Sequence, residues 1–189
     1  MSKNKYKKRD INTIIVFAKN GDAAALEELI KRVQKNIFVL FSYLTNQRQD
    51  IADLTQETLV RMAKNIKQLK SPASFKPWLN QIATNIFYDF VKKRAKDKNL
   101  EFDYNKLLEI KDKIGCEPGE KCLFAEVEKL IKAALLNLPE NLRIAIILRE
   151  YEGLSYENIA KITNTAVGTV KSRISRARLK LQQELKEFI

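Results

Sequence analysis

The sequence predicts an all-α protein made of two small helical domains joined by a flexible linker. Apolar residues recur at spacings of three and four along most of the chain, which is the period of an amphipathic helix. No segment alternates apolar and polar residues as a half-buried strand would, and the 189 residues include only five glycines and four prolines. A central stretch of weak periodicity separates the two helical halves.

The first domain is expected at residues 10–96, after a basic tail at residues 1–9 that stays mobile or lies on an anionic partner. An apolar stripe predicts a long helix that reaches Leu44. A second helical pattern ends at Pro72, which cannot continue a helix, and a third helix begins near Pro77.

The linker is expected at residues 97–121, because a charged run and a Gly- and Pro-containing segment there lack periodicity. The second domain then covers residues 122–189. Its helical pattern resumes after the linker and restarts behind Pro139, a residue favoured at the start of a helix.

The net charge of +12, from 35 Lys and Arg against 23 Asp and Glu, favours a polyanionic partner. Nucleic acid is the leading candidate and an anionic membrane the alternative. The chain shows neither an apolar run of membrane-spanning length nor a secretory signal at its start, so a cytoplasmic protein is expected.

Residue types that support catalysis are scarce. The absence of His excludes Ser-His and Cys-His pairs and most zinc sites. Cys116 and Cys122 lack further Cys or His to complete a metal site, and we interpret both as ordinary thiols. We expect no enzymatic activity, no metal and no cofactor.

A helix-turn-helix is predicted near the end of the chain. Gly153 can end one helix and Ser155 can cap the next, after which Asn164 can adopt the left-handed conformation of a tight turn. A second helix opens near Ala166. In such a unit the second helix enters the major groove of DNA.

The helical period divides this second helix into two faces. An apolar face points to the core: Val167, Val170, Ile174, Ala177 and Leu181. The opposite face is centred on four polar residues: Lys171, Ser172, Ser175 and Arg176. These are expected to read base edges, whereas the flanking residues are expected to bind phosphates: Thr169, Arg173 and Arg178. The alternative is a solvated basic helix.

The segments Gly153-Leu154-Ser155-Tyr156-Glu157 and Val167-Gly168-Thr169-Val170-Lys171-Ser172-Arg173 resemble region 4 of extracytoplasmic-function sigma factors, a subfamily of the sigma-70 family. Asp50-Ile51-Ala52-Asp53-Leu54-Thr55-Gln56-Glu57 and Trp78-Leu79-Asn80-Gln81-Ile82-Ala83-Thr84-Asn85 resemble region 2 of the same family. The resemblance implies a protein that binds core RNA polymerase and addresses two promoter elements.

By this resemblance, Asp53, Gln56 and Glu57 meet the clamp helices of the polymerase β′ subunit, and region 4 lies on the β flap. The acidic and amide groups of Asp53, Gln56 and Glu57 suit a protein partner, and the alternative is that they are simply solvated surface residues. Many relatives are held inactive by an anti-sigma protein, often at the membrane. Double- and single-stranded promoter DNA is the expected nucleic acid.

The resemblance also places Asn85 where the family holds a base flipped out of the minus-ten element. The cations that follow on the same helix are expected to bind phosphates, or else to complement the helix dipole: Lys92, Lys93 and Arg94. Trp78 is either a core residue or a stacking platform.

The sequence departs from the family at the start of the recognition helix. Ala166 and Thr165 replace the residues that usually open this helix, and Asn158 weakens a capping box with Ser155. The alternative functions are a response-regulator type of transcription factor and a nucleic-acid-processing enzyme. The first requires alternating strands and helices, and the second a denser carboxylate cluster than that around Asp53.

Overall fold

The computed structural model describes residues 5–96 and 120–186, with side chains from residue 126 onward in the second range. Within these ranges the chain forms helices and turns and no strand, which confirms the all-α prediction. Most of the predicted linker, residues 97–119, lies outside the described residues. Helical structure has already resumed at Glu120, inside the predicted linker.

Four α-helices build the N-terminal domain: α1 (Ile11–Lys19), α2 (Ala23–Leu44), α3 (Arg48–Asn65) and α4 (Phe75–Lys96). Short 3-10 turns at Ile66–Gln68 and Pro72–Ser74 connect α3 to α4. Helix α2 packs against both α1 and α3, and α3 packs against α4. The fully buried core includes Ile14, Leu29, Phe41, Met62 and Phe87.

Aspartates begin the first two helices. The Asp10 carboxylate accepts a hydrogen bond from the Thr13 N–H at 2.9 Å, and the Asp22 carboxylate accepts one from the Ala25 N–H at 3.0 Å. Each carboxylate satisfies an N–H group that has no partner within its helix, and this stabilises the helix start. Between the two helices Gly21 takes a φ of +91°, a conformation that suits glycine.

The described part of the basic tail differs from the mobile segment predicted. Tyr6 is only 3% exposed, and its hydroxyl donates to the Asp22 carboxylate at 2.5 Å. The Arg32 guanidinium donates to the backbone carbonyls of Tyr6, Lys7 and Arg9 at 2.8–3.0 Å. These contacts hold residues 5–9 on the N-terminal domain, so the prediction of a mobile tail is wrong for this segment.

The C-terminal domain contains α5 (Glu120–Leu136), α6 (Glu140–Ile146), a π-helical turn (Ile147–Tyr151), α7 (Tyr156–Thr163) and α8 (Val167–Leu185). Helix α8 packs against α5, α6 and α7. Its buried side chains meet a core that includes Ile144, Leu148 and Ile159. Three helices therefore support one face of α8 and leave the opposite face outward.

The helix-turn-helix has the turn chemistry that the sequence predicts. Gly153 has a φ of +64°, and the Ser155 hydroxyl accepts a hydrogen bond from the Asn158 N–H at 3.2 Å. Asn164 is left-handed, with φ 50° and ψ 51°, between α7 and α8. Ala166 precedes α8 and supplies no side-chain cap, as expected from its lack of a polar group.

The two domains also touch each other. Helix α2 packs against α5, α6 and the π-helical turn, and α4 packs against α7. Across the described ranges, no helix is both long enough and apolar enough to cross a membrane.

Candidate nucleic-acid interface

The outward face of α8 carries the four side chains predicted to read DNA bases. All four are exposed in the structure: Lys171, Ser172, Ser175 and Arg176. Val170, Ile174 and Ala177 are buried on the opposite face, and the half-buried Val167 and Leu181 pack against the same core. The apolar anchor and the polar face are therefore divided as the helical period predicts.

Short contacts within the domain orient this outward face. The Arg176 Nε donates to the Ser172 carbonyl at 3.2 Å, and the Ser172 hydroxyl donates to the Thr169 carbonyl at 2.9 Å. The Lys171 ammonium lies 5.8 Å from the ring centre of Tyr156, which also meets the Arg149 guanidinium at 4.7 Å. Tyr156 thus links the start of α7 to the cationic edge of α8 through cation–π contacts.

Glu157 lies at the edge of this basic surface, in the first turn of α7. Hydrogen bonds from its own backbone N–H and from the Ser155 hydroxyl lower the pKa of the Glu157 carboxyl, and the nearby Lys171 and Arg149 lower it further. The Glu157 carboxylate therefore stays ionised at neutral pH beside Lys171 and Arg149.

The three residues predicted to bind phosphates differ in their surroundings. Thr169 and Arg173 are half-buried at one edge of α8. Arg178, on the other edge, is exposed but donates to the Glu150 carboxylate at 2.5 Å. The structure brings Glu150 to Arg178 from 28 residues away, so a phosphate would have to compete with that carboxylate for the guanidinium.

Helix α4 presents the residues predicted for the minus-ten element. Asn85, Lys92 and Lys93 are exposed on it. Trp78 is half-buried and packs against the core cluster, with its ring centre 6.1 Å from that of Phe75. This packing agrees with the core interpretation of Trp78.

Arg94 is engaged within the N-terminal domain. Its guanidinium donates to the Asp50 carboxylate at 3.1 Å and lies 5.5 Å from the Phe90 ring centre. Burial raises the pKa of the Asp50 carboxyl, Arg94 opposes that rise and Asp53 adds to it. Arg94 therefore ties the end of α4 to α3, and its predicted phosphate role requires this ion pair to open.

Helix α3 presents the trio predicted to bind polymerase. Asp53, Gln56 and Glu57 are all exposed, at the spacing of three and four that gives one helix face. The Gln49 amide donates to the Asp53 carboxylate at 3.1 Å, and the Arg61 guanidinium donates to the Glu57 carboxylate at 2.5 Å. The face is therefore acidic, and hydrogen bonds from other residues of α3 orient its two carboxylates.

An apolar groove lies beside this trio, and the sequence does not predict it. It has a volume of about 460 Å³ between α2 and α3, and its lining includes Ile30, Phe38, Gln56, Leu59 and Val60. Phe38 is 40% exposed and Val60 is 43% exposed. In the sequence, the groove is indicated only by Phe38 and Val60, two large apolar residues that lie outside the apolar stripes of α2 and α3. An apolar centre with a polar rim is typical of a protein-binding surface.

The fold and these surfaces define a class of protein: a helix-turn-helix DNA-binding protein with a second, separate surface for a protein partner. Comparison with known proteins gives the family. Residues 29–97 match the model of Sigma-70 region 2, and residues 128–181 match that of Sigma-70, region 4.

The chain is 32% identical over 185 residues to the ECF RNA polymerase sigma-E factor of Haemophilus influenzae, covering 93% of this chain and 95% of that protein. It is 34% identical over 182 residues to the ECF RNA polymerase sigma factor SigE of Mycolicibacterium smegmatis, covering 92% of this chain but 66% of that relative. The sigma factor RpoE from Bartonella quintana, solved in complex with the anti-sigma factor NepR, has a TM-score of 0.67 and 28% identity over 85% of this chain and 96% of that one.

The chain therefore belongs to the extracytoplasmic-function RNA polymerase sigma factors of the sigma-70 family. This confirms the resemblance that its motifs carry. Region 2 corresponds to the N-terminal domain and region 4 to the C-terminal domain.

Proposed function

We propose that this sigma factor brings core RNA polymerase to promoters through three surfaces: the face and groove of α3, the outward face of α8, and the exposed side of α4. The observation that carries the proposal is the arrangement of α8. Its four outward polar side chains stand on a buried apolar anchor, behind a capped helix and a left-handed Asn164 turn.

In this proposal the outward face of α8 reads the minus-thirty-five element. Arg176 and Lys171 donate to guanine O6 and N7, and the two serines contact neighbouring base edges. Arg176 gives up its contact with its own helix when it reaches the groove. Thr169 and Arg173 hold phosphates along one edge, and Arg178 does so on the other if it is released from Glu150.

The minus-ten element is opened on α4. The Asn85 amide offers both a donor and an acceptor to the edge of a flipped base. Flipping costs a few kcal/mol of stacking and pairing, which contacts to the extruded base must offset. Lys92 and Lys93 are exposed next to the end of α4 and attract the phosphates of the displaced strand.

The polymerase partner docks on α3. Asp53, Gln56 and Glu57 supply polar contacts to the β′ clamp helices, and the groove beside them receives an apolar side chain of the partner. Region 4 lies on the β flap, where exposed Ile131 and Leu179 of the C-terminal domain provide apolar surface. The face of α3 is acidic although the chain has a net charge of +12, and an acidic face would repel DNA phosphates. It therefore suits a protein partner.

Polymerase performs the reaction, and this chain needs neither a metal nor a cofactor of its own. An anti-sigma protein controls it, as the complex of the Bartonella quintana relative suggests. The chain works in the cytoplasm and can be held at the membrane by that protein.

Run-off transcription tests the proposal. The purified chain is mixed with core polymerase and a library of genomic promoter fragments, with core polymerase alone as the control. We expect transcripts that start at defined positions and need both promoter elements. A library that yields no transcript dependent on the chain would contradict the proposed function.

A further inference from the structure

Residues 5–9, the described part of the basic tail, contain a turn with two lysines at its tip. The Arg9 N–H donates to the Tyr6 carbonyl at 3.0 Å, which closes a four-residue turn with Lys7 and Lys8 at its centre. Lys7, Lys8 and Arg9 are exposed, and Tyr6 is buried. The turn therefore presents three consecutive cations to solvent.

A single guanidinium of α2 holds the backbone of this turn. One nitrogen of Arg32 donates to the carbonyls of Tyr6 and Lys7 at 2.9 and 3.0 Å, and another donates to the Arg9 carbonyl at 2.8 Å. The Arg32 Nε also donates to the Glu28 carboxylate at 2.9 Å, which orients the guanidinium. Because the backbone is bound at three points, the cations of the turn have a defined place on the domain surface.

Tyr6 is the second anchor of the turn. It is only 3% exposed, its hydroxyl donates to the Asp22 carboxylate, and its ring centre lies 5.5 Å from that of Phe17. The Lys5 ammonium lies 5.1 Å from the Tyr6 ring centre. Residues 5–9 therefore expose cationic groups, whereas the one aromatic side chain among them is buried.

The exposed cations of the turn differ from those on the neighbouring helices. Several cations on α2 and α3 pair with a carboxylate one turn earlier, as Lys31 does with Glu27 at 2.6 Å. Within the part of the chain that the structure describes, no carboxylate pairs with the side chains of Lys7, Lys8 or Arg9. Three positive charges held side by side repel one another, and an external anion would relieve that repulsion.

The two aspartates near the turn are engaged at helix starts. The Asp10 carboxylate accepts the Thr13 N–H at 2.9 Å, and the Asp22 carboxylate accepts the Ala25 N–H at 3.0 Å. The hydrogen bond from Tyr6 is the main cause that lowers the pKa of the Asp22 carboxyl, and the Ala25 N–H lowers it further. Both carboxylates thus stabilise helices, and neither pairs with a cation of residues 7–9.

We propose that the turn at residues 6–9 is a binding site for the phosphates of duplex DNA, which it holds without reading the base sequence. Lys7, Lys8 and Arg9 each neutralise a phosphate and release counterions from the duplex. Because the turn is held in place before DNA arrives, little conformational entropy is lost on binding. The site adds a DNA contact to the surfaces of the proposed function and does not depend on them.

Duplex DNA suits this turn better than a protein or a membrane does. The tight parts of protein interfaces depend on buried aromatic or aliphatic anchors, and stable membrane binding by a basic segment needs an inserted apolar group or a lipid chain. With Tyr6 buried, the turn offers charge alone. Charge alone is enough to bind the phosphates of a DNA backbone, whatever the base sequence.

Neutralising the turn in the full chain tests the site. Fluorescence anisotropy measures binding of a labelled duplex of random sequence at several salt concentrations. In the triple variant Lys7→Gln, Lys8→Gln, Arg9→Gln we expect the affinity to fall at least about tenfold, and the slope of log affinity against log salt to fall by about two to three. The loss should be the same on duplexes of different sequence.

The matched control removes three charges from exposed lysines of α2 and α3: Lys31→Gln, Lys35→Gln and Lys64→Gln. It makes the same change in net charge, so we expect the slope to change by less than about one. Unchanged affinity and slope in the triple variant of the turn, or an equal loss in this control, would overturn the site.

Replacing Tyr6 tests whether the anchored form of the turn matters. Tyr6→Ala keeps every charge but removes the buried ring, and we expect duplex binding to weaken about threefold because the cations must then be ordered on binding. Circular dichroism verifies that the helices remain. If they do not, Tyr6→Phe, which loses only the hydrogen bond to Asp22, replaces it and should weaken binding in the same direction. Unchanged binding would show that the anchoring has no part in the site.

Vesicles of phosphatidylglycerol and phosphatidylcholine distinguish DNA from a membrane. We expect sedimentation with these vesicles to be the same for the parent and the triple variant of the turn. A variant that loses vesicle binding but keeps duplex binding would assign the turn to a lipid surface and overturn the proposal. The random duplex requires neither polymerase nor a promoter, so this result is separate from the run-off test of the proposed function.

Discussion

Helices α8 and α4 both carry exposed polar residues proposed to meet DNA, but their surroundings differ. In the described residues, the outward face of α8 contacts its own helix and Tyr156 of α7. On α4, Asn80 and Lys76 are engaged by the C-terminal domain, and Arg94 is engaged by α3. The polar face of α8 is thus held mainly by residues near it in the sequence, whereas α4 also depends on residues far away in the chain.

The largest expected effect lies outside α8 and α4, at the apolar groove between α2 and α3 of the N-terminal domain. In Val60→Lys an ammonium enters an apolar groove beside an acidic trio whose partner is expected to be basic. We expect core polymerase binding to weaken by about 3 kcal/mol, roughly a hundredfold. Fluorescence anisotropy of the labelled chain with core polymerase measures this change.

Val16→Lys is the control for that experiment, because Val16 is as exposed as Val60 but lies on α1 outside the groove. It should leave polymerase binding within about twofold of the parent, since isolated surface substitutions have small effects. Equal binding by Val60→Lys and the parent would exclude the groove as the polymerase site.

The next effect tests whether α8 reads bases by itself. In Arg176→Ala the loss of a bidentate guanine contact should reduce discrimination between matched and mismatched minus-thirty-five elements by about 1–3 kcal/mol. Polymerase binding should stay intact. Transcription from paired templates measures the discrimination, with Lys67→Ala as a charge-matched control in the N-terminal domain. Equal transcription from both templates by the unmutated chain would count against this role.

The smallest effect tests the role of α4 in promoter opening. In Asn85→Ala the hydrogen bonds to a flipped base are lost, and we expect open complexes to form about tenfold more slowly, which corresponds to about 1.4 kcal/mol. Permanganate reactivity of unpaired thymines follows the opening. A template that is already melted at the minus-ten element should restore the parent rate, and a persistent defect on it would show that Asn85 acts elsewhere.

The helix-turn-helix could be predicted because its determinants are local. Gly153, Ser155 and Asn164 have the conformations that their chemistry favours, and the spacing of Val170 and Ile174 sets the buried face of α8. The fold class followed from the same period. The polar trio on α3 likewise shares one exposed face, although its contact with polymerase stays a prediction.

Contacts between residues far apart in the chain could not be predicted in this way. The ion pair of Arg178 with Glu150 joins residues 28 positions apart, and that of Arg94 with Asp50 joins residues 44 apart. Whether such charges meet depends on how helices pack, and the sequence contains only their identities. Helix α1 was also missed, since it is short and its apolar residues include the exposed Val16 and Phe17.

The sequence by itself determined the all-α class, the two-domain order and the four outward side chains of α8, because a helix repeats every 3.6 residues and its caps are chosen by nearby residues. Only the tertiary structure decided that Tyr6 is buried, that a groove opens beside Val60 and that Glu152 meets Asn80. Those features depend on the relative placement of whole helices, which is set by the total packing of both cores and not by any short segment.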